Sequence, residues 1–206
     1  TPCGTLFPYT TLFRSVTLAS DMLVNHAAKL RYLSGGRTPV PLTVRVKAGM
    51  GFQAGCQHSH NLEAWMAHVP GLKTVFASNP ADLKGLLLSA IFHPDPVLVV
   101  EELGLYRMKG AVPEGDYRVP LGQAGVVREG GDVTIAAYGS AVGRALQAAE
   151  GLEGEGVSVE VVDLRSLVPL DQETILSSVA RTGRFVMVHD AVRFGGFGAE
   201  VCAMVA

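Results

Sequence analysis

The sequence predicts an α/β protein built from two mainly parallel-sheet units. Three observations predict it. Strand-like and helix-like segments alternate twice along the chain, and such alternation favours parallel sheets covered on both faces. Aliphatic runs such as Val97-Leu-Val-Val100 have the two-sided apolar character of a buried parallel strand. Between the two alternating stretches, Gly104, Gly110, Pro113, Gly115, Pro120 and Gly122 break every regular period, so residues 104–122 read as a linker.

Each element has a local justification. Met22, Leu23, Ala27, Leu30 and Leu33 recur near helical spacing and predict a helix over 19–33, stopped by Ser34-Gly-Gly36. Residues 41–46 are β-rich and lead into a glycine-rich loop at Gly49 and Gly51. A short helix over 61–68 ends at Pro70-Gly71, a strand covers 73–77, and Asn79 opens a helix over 80–92. The first unit closes with a strand at 97–101. Past the linker, strands at 133–138, 157–163 and 185–189 alternate with helices at 141–152, 171–180 and 198–205. Right-handed crossovers put these three strands in one parallel sheet. The last helix carries no C-cap signal, so the second unit reads as unfinished at residue 206.

Composition narrows the function classes. Among 206 residues, 17 basic and 19 acidic side chains leave a net charge of -2, without the basic run that a nucleic-acid backbone requires. A mean hydropathy of +0.28 comes with no aliphatic run near the roughly 20 residues of a membrane span. Neither nucleic acid nor membrane is expected as a partner. Cys3, Cys56 and Cys202 lie too far apart to imply a disulfide framework, which suits a reducing cytoplasm.

The stretch from Gly49 to His60, GMGFQAGCQHSH, is the richest in chemistry. Its glycines let backbone approach a ligand, and His58 stands just ahead of a helix N-terminus. Three readings stay open: a catalytic histidine, a metal site using Cys56, His58 and His60 that lacks a fourth ligand, and a buried loop whose residues 59–61 cap the helix. Glu101-Glu102 is a candidate acid/base pair, but adjacent strand residues face opposite ways, so at most one serves a site. His189-Asp190 ends a parallel strand, where α/β sheets collect functional groups. Gly195-Gly-Phe-Gly198 lacks dinucleotide-binding spacing and reads as a tight strand-to-helix turn.

Residues 1–15, containing TLFPYTTLFRS, fit neither a secretory signal nor a mitochondrial presequence. They resemble a translated sequencing-library adaptor and are expected to be non-native.

The words LVNHAAKLRYLSGG (23–36), GCQHSHNLEAWMAHVPGLKTV (55–75), PADLKGLLLSAIFHPDPV (80–97), YRMKGAVPEGDYRVPLGQA (106–124), VEVVDLRSLVPLD (159–171) and VHDAVRFGGFGAE (188–200) cover nearly all of residues 17–206. Together they resemble the beta subunit of thiamine-diphosphate-dependent 2-oxo acid dehydrogenases, the pyruvate, branched-chain and acetoin types within the transketolase superfamily. The resemblance implies a partial pyrimidine-binding domain at 16–103, the linker, and a partial transketolase C-terminal domain at 123–206. It implies oxidative decarboxylation of a 2-oxo acid, or cleavage of acetoin, with acyl transfer to a lipoyl group. The words YRMKG and HDAVRFGGFGAE are nearest to the pyruvate and acetoin types.

The same resemblance implies partners and ligands. An alpha subunit would hold the diphosphate and its magnesium. Two alpha and two beta subunits would form a heterotetramer that serves a lipoyl-bearing acyltransferase. His58 matches the family's active-site histidine, thought to assist lipoyl transfer. Leu42, Ala90, Ile91, His93 and Asp95 match positions that hold potassium, mostly through backbone carbonyls; His93 replaces an acidic residue there. His60 stands where glutamine is usual and Asp190 where glutamate is usual. The cofactor-activating glutamate and an aromatic wall of the pyrimidine fall upstream of the 19–33 helix, in the region of the adaptor-like words. The chain alone is therefore expected to be inactive, or to serve only as a subunit-pairing scaffold.

Overall fold

A computed structural model describes residues 16–49 and 59–206. Among them the predicted alternation appears as two four-stranded sheets. In the first, β1 (Thr43–Ala48), β2 (Lys73–Phe76) and β3 (Val97–Glu102) run parallel with β3 between the other two. Every residue of β3 is buried, as expected for a central strand covered on both faces. In the second, β5 (Val133–Ala137) lies between β6 (Val159–Asp163) and β8 (Phe185–Val188), all parallel, as the crossover rule predicts.

Two strands were not foreseen. β4 (Gly125–Arg128) adds an antiparallel edge to β6. β7 (Ser166–Val168), although it follows β6 in the chain, leaves the second sheet and pairs antiparallel with β2 of the first. The 19–33 helix also differs from its expected form, because Met22–Ala27 is π-helical and only Ala28–Leu33 (α1) is regular α-helix.

The helices end where their chemistry dictates. In α3 (Pro80–Ile91), Asn79 accepts the amide of Asp82 at 2.9 Å and Pro80 occupies the first position, where no amide donor is needed. In α5 (Gln172–Thr182), Asp171 accepts the amide of Thr174 at 3.0 Å, and Gly183 closes the helix with φ 67°. The remaining helices are α2 (Glu63–Ala67), α4 (Ser140–Glu153) and α6 (Phe197–Val205).

No helix or strand is present between Leu105 and Gly125, yet this connector is packed down. Val119 is buried with Leu86 and Ala90, and Ser89 Oγ donates to the Val119 carbonyl at 2.5 Å. A Cβ on Gly85 would come within 2.6 Å of Val119 Cγ2, so α3 needs glycine there for the connector to lie flat. The largest core cluster joins both units: Met66, Leu72, Phe76 and Leu98 from the first share it with Tyr138, Leu164, Leu167, Ile175 and Phe197. Burial of this kind stabilises each large side chain by about 1.5–3 kcal/mol. Among the described residues, no helix is long and apolar enough to cross a membrane.

Candidate active-site region at the junction of the two units

The carboxyl ends of β1, β3, β5 and β8 bring polar residues to the junction between the sheets. Parallel α/β sheets offer ligands this end because loops and helix N-termini gather there. Glu63, the first residue of α2, is 1% exposed. The Tyr138 hydroxyl, one residue beyond β5, donates to Glu63 Oε1 at 3.0 Å and also lies 2.9 Å from Nδ1 of His189, one residue beyond β8. Among the described residues, the buried Glu63 Oε2 has no hydrogen-bond partner.

Burial sets the protonation here. Desolvation raises the Glu63 carboxyl above its ordinary value, against the hydrogen bonds it accepts, and Glu102 and Asp190 push it the same way. Tyr138 is driven far above the usual phenol range, first by burial and then by the Glu63 carboxyl. Burial lowers His189, which Asp190 only partly offsets. Burial thus works toward the neutral form at all three positions.

Around this group the units are stitched together. Asn61 Nδ2 donates to the Asp190 carbonyl. The Asp190 carboxylate accepts from Ser140 Oγ at 3.0 Å and pairs with Arg144. Glu102 accepts the Ser140 amide at 2.7 Å, whereas Glu101 turns to Arg45 and accepts the Tyr106 hydroxyl at 2.9 Å. The two adjacent glutamates therefore send their carboxylates to different partners, as strand alternation requires. A cavity of about 300 Å³ opens beside them, lined by Arg45, Asn79, Glu101, Glu102, Tyr106 and Met108 among others. A smaller one of about 30 Å³ is lined by Lys47, Ala48, His60 and Glu63 with apolar neighbours.

The sequence-predicted residues separate into three groups. His58 and Cys56 lie outside the described residues, as do residues 1–15. His60 is exposed, and its carbonyl accepts the Gly49 amide at 3.2 Å. Among the described residues, no group of three His, Cys, Asp or Glu side chains could hold a metal ion, and Cys202 is a free, exposed thiol.

Leu42, Ala90, Ile91, His93 and Asp95 gather at the opposite end of the first sheet, where α3 turns into β3 beside the start of β1. The Leu42 carbonyl accepts the Val97 amide at 2.9 Å, and that of Ala90 accepts the His93 amide at 3.2 Å. Each oxygen retains a second lone pair. The Asp95 amide donates to His93 Nδ1 at 3.0 Å. Burial works to raise the Asp95 carboxyl, but hydrogen bonds and charge from Arg31 and Lys73 outweigh it and hold the group below its usual value.

Glu63 and Tyr138 are not marked by the sequence, whereas the position of His189-Asp190 at a strand end is an available signal. Asn61, expected among residues 59–61 as a helix cap, instead donates to the Asp190 carbonyl, and the N-cap residue of α2 is Leu62, with no side-chain cap. The Gly195–Gly198 turn acquires a specific reason. Gly196 caps α6, and a Cβ on Gly198 would collide with Nε2 of His189.

These features define a protein of two α/β units with a polar junction at their strand ends. The model of the transketolase pyrimidine-binding domain matches residues 3–109, and that of the transketolase C-terminal domain matches residues 122–206. The chain belongs to the transketolase family, with these two domains in that order. It is 47% identical over 186 residues to the beta subunit of acetoin:2,6-dichlorophenolindophenol oxidoreductase from Cupriavidus necator, covering 90% of this chain and 55% of that one. It is 45% identical over 187 residues to the pyruvate dehydrogenase E1 component subunit beta of Staphylococcus epidermidis, covering 90% and 58%. The chain thus spans just over half the length of these relatives. Among solved structures, a split-gene transketolase described as an inactive beta4 tetramer superposes with a TM-score of 0.75 at 26% identity, covering 93% of this chain and 59% of that one.

Proposed function

We propose that the chain is part of the beta subunit of a thiamine-diphosphate-dependent dehydrogenase acting on pyruvate, a related 2-oxo acid, or acetoin. The observation that carries this reading is the 45–47% identity, over 90% of the chain, to beta subunits of both acetoin and pyruvate enzymes. In this reading an alpha subunit binds the diphosphate and magnesium, two alpha and two beta subunits assemble, and a lipoyl-bearing acyltransferase receives the acyl group in the cytoplasm. The unit boundaries at 16–103 and 123–206, with 104–122 as linker, belong to the same reading.

Thiamine diphosphate, when bound, supplies the electron sink for loss of carbon dioxide. The described residues do not by themselves provide the carboxylate that its aminopyrimidine needs. Glu101 is engaged by Arg45 and Tyr106, and Glu102 by the Ser140 amide. Glu63 lines a cavity of about 30 Å³, room for one water and not for a ring. His58 is proposed as the acid that assists acyl transfer, and Leu42, Ala90, Ile91, His93 and Asp95 as carbonyl ligands of a structural potassium ion, supported by the spare lone pairs at Leu42 and Ala90.

A second reading, a non-catalytic subunit-pairing scaffold, is favoured by the likeness to an inactive beta4 assembly. Calorimetric titration of thiamine diphosphate into this chain, and into the intact beta subunit with an alpha partner, separates the two. Binding only in the complex supports the dehydrogenase reading. No binding in either supports the scaffold.

A further inference from the structure

We propose that Glu63, Tyr138 and His189 form a proton relay across the junction, with Tyr138 passing protons between the Glu63 carboxyl and Nδ1 of His189. This goes beyond the proposed dehydrogenase activity and does not depend on it.

The Tyr138 hydroxyl carries one proton, yet it lies within hydrogen-bond distance of two groups, Glu63 Oε1 at 3.0 Å and His189 Nδ1 at 2.9 Å. It can donate to only one of them, so the other must donate to it. Two arrangements satisfy the chain. In one, Tyr138 donates to Glu63 and accepts from the Nδ1–H of His189. In the other, a protonated Glu63 donates to the Tyr138 oxygen, and Tyr138 donates to an unprotonated Nδ1.

When Nε2 of His189 also carries its proton, passing from the second arrangement to the first breaks the Glu63 O–H and Tyr138 O–H bonds. It forms a new Tyr138 O–H and an Nδ1–H. A neutral carboxyl and a neutral imidazole become a carboxylate and an imidazolium, and Tyr138 ends unchanged. No other reactant is needed.

The surroundings hold this line in place and give it two ends. Tyr138 is 2% exposed and wedged between rings, with Phe76 at 5.1 Å and Phe197 at 6.3 Å between centroids. Gly196 and Gly198 seat the His189 ring, because a Cβ on either would press against it. His189 is half-buried and reaches solvent, whereas Glu63 Oε2 has no partner among the described residues, and Glu63 lines the cavity of about 30 Å³, large enough for one water. The charged groups that bias the line are Glu102 and Asp190 beside Glu63 and Tyr138, and Asp190 beside His189. Arg144 and Ser140 partner Asp190, while Lys47 and His60 share the small cavity with Glu63.

The test is nuclear magnetic resonance of the full chain, labelled at histidine nitrogens and glutamate carboxyl carbons and titrated with pH. A relay makes the pair titrate as one system, so Glu63 Cδ responds at the midpoint of His189. In addition, Glu63→Gln moves the His189 midpoint by about one pH unit or more, and adding it to Tyr138→Phe produces less than half that movement. A Glu63 signal that stays flat through the His189 titration overturns the proposal. So does a shift of equal size in both backgrounds, which would mean coupling through space. If a variant fails to fold, the wild-type titration still overturns the proposal when the Glu63 signal stays flat through the His189 midpoint.

Discussion

Glu102, the last residue of β3, caps a helix that belongs to the other unit: its carboxylate accepts the amide of Ser140, the first residue of α4, at 2.7 Å. The helix cannot cap itself, because its N-cap residue is Gly139 at φ 60°, and a Cβ there would lie 2.6 Å from Phe76 and 2.7 Å from Glu102. A side chain that would cap the helix is excluded by the contact that joins the units. Glu102 supplies the acceptor and its charge also suits the positive end of the helix.

Glu102→Ala is therefore expected to leave a part-buried amide without its protein acceptor and to destabilise the protein by about 1 kcal/mol or somewhat more. Glu102→Gln retains an acceptor and loses only the charge, at about 0.3–1 kcal/mol. Urea denaturation of the two variants checks the order. Equal losses would mean that the hydrogen bond to Ser140 contributes nothing.

Asp163 gives a pH dependence with a definite sign. It is fully buried, accepts the Arg165 amide at 3.1 Å and receives the Ser78 hydroxyl, and burial pushes its carboxyl up to about 7. The folded chain keeps this proton between about pH 4 and 7, whereas the unfolded chain has released it. Its contribution is complete below the unfolded value and is lost as pH rises through 7. Asp163→Asn cannot ionise, so relative to wild type it should gain stability as pH rises from 5 to 8, by on the order of a few kcal/mol at most. Denaturation midpoints across that range test this; a constant difference between variant and wild type contradicts it.

Gly198→Ala is expected to force His189 off its seat, since the added methyl meets Nε2. Overpacking of this kind costs typically about 1–3 kcal/mol. The diagnostic readout is the His189 ring signal, which should lose its dependence on Tyr138; an unshifted signal would show that α6 moves instead.

What the sequence made legible follows from how local each signal is. The central strands β3 and β6 announce themselves through aliphatic side chains on both faces, and Asn79 and Asp171 mark helix starts within three residues of their partners. β7 has three residues, and its partner β2 lies far upstream, so no local pattern marks Ser166–Val168 as a strand of the first sheet. The junction is harder still. Tyr138 meets Glu63 across 75 positions and His189 across 51, and only the packing of one unit on the other creates the pairings. His189-Asp190 could be picked out because the end of a parallel strand is a position with a general meaning. Glu63 looks like any charge near the start of a short helix.

In the intact beta subunit assembled with an alpha partner, His58→Ala should impair acyl transfer to a lipoyl domain more than decarboxylation. A histidine with an ordinary pKa near 6.5 can donate a proton to a departing sulfur at neutral pH. General acid help of that kind is worth about 10²- to 10⁴-fold. Single-turnover decarboxylation with an artificial electron acceptor, set beside acylation of a free lipoyl domain, reads the two steps. Equal loss in both would make His58 a residue that shapes the loop.

The most direct measurement is reduction of an artificial electron acceptor by the intact beta subunit reconstituted with an alpha subunit, with pyruvate and acetoin offered separately and thiamine diphosphate and magnesium added or withheld. Turnover of one of these substrates, dependent on thiamine diphosphate and on both subunits, is expected. A saturated, well-folded assembly that binds the cofactor and reduces the acceptor with neither substrate nor any related 2-oxo acid would contradict it.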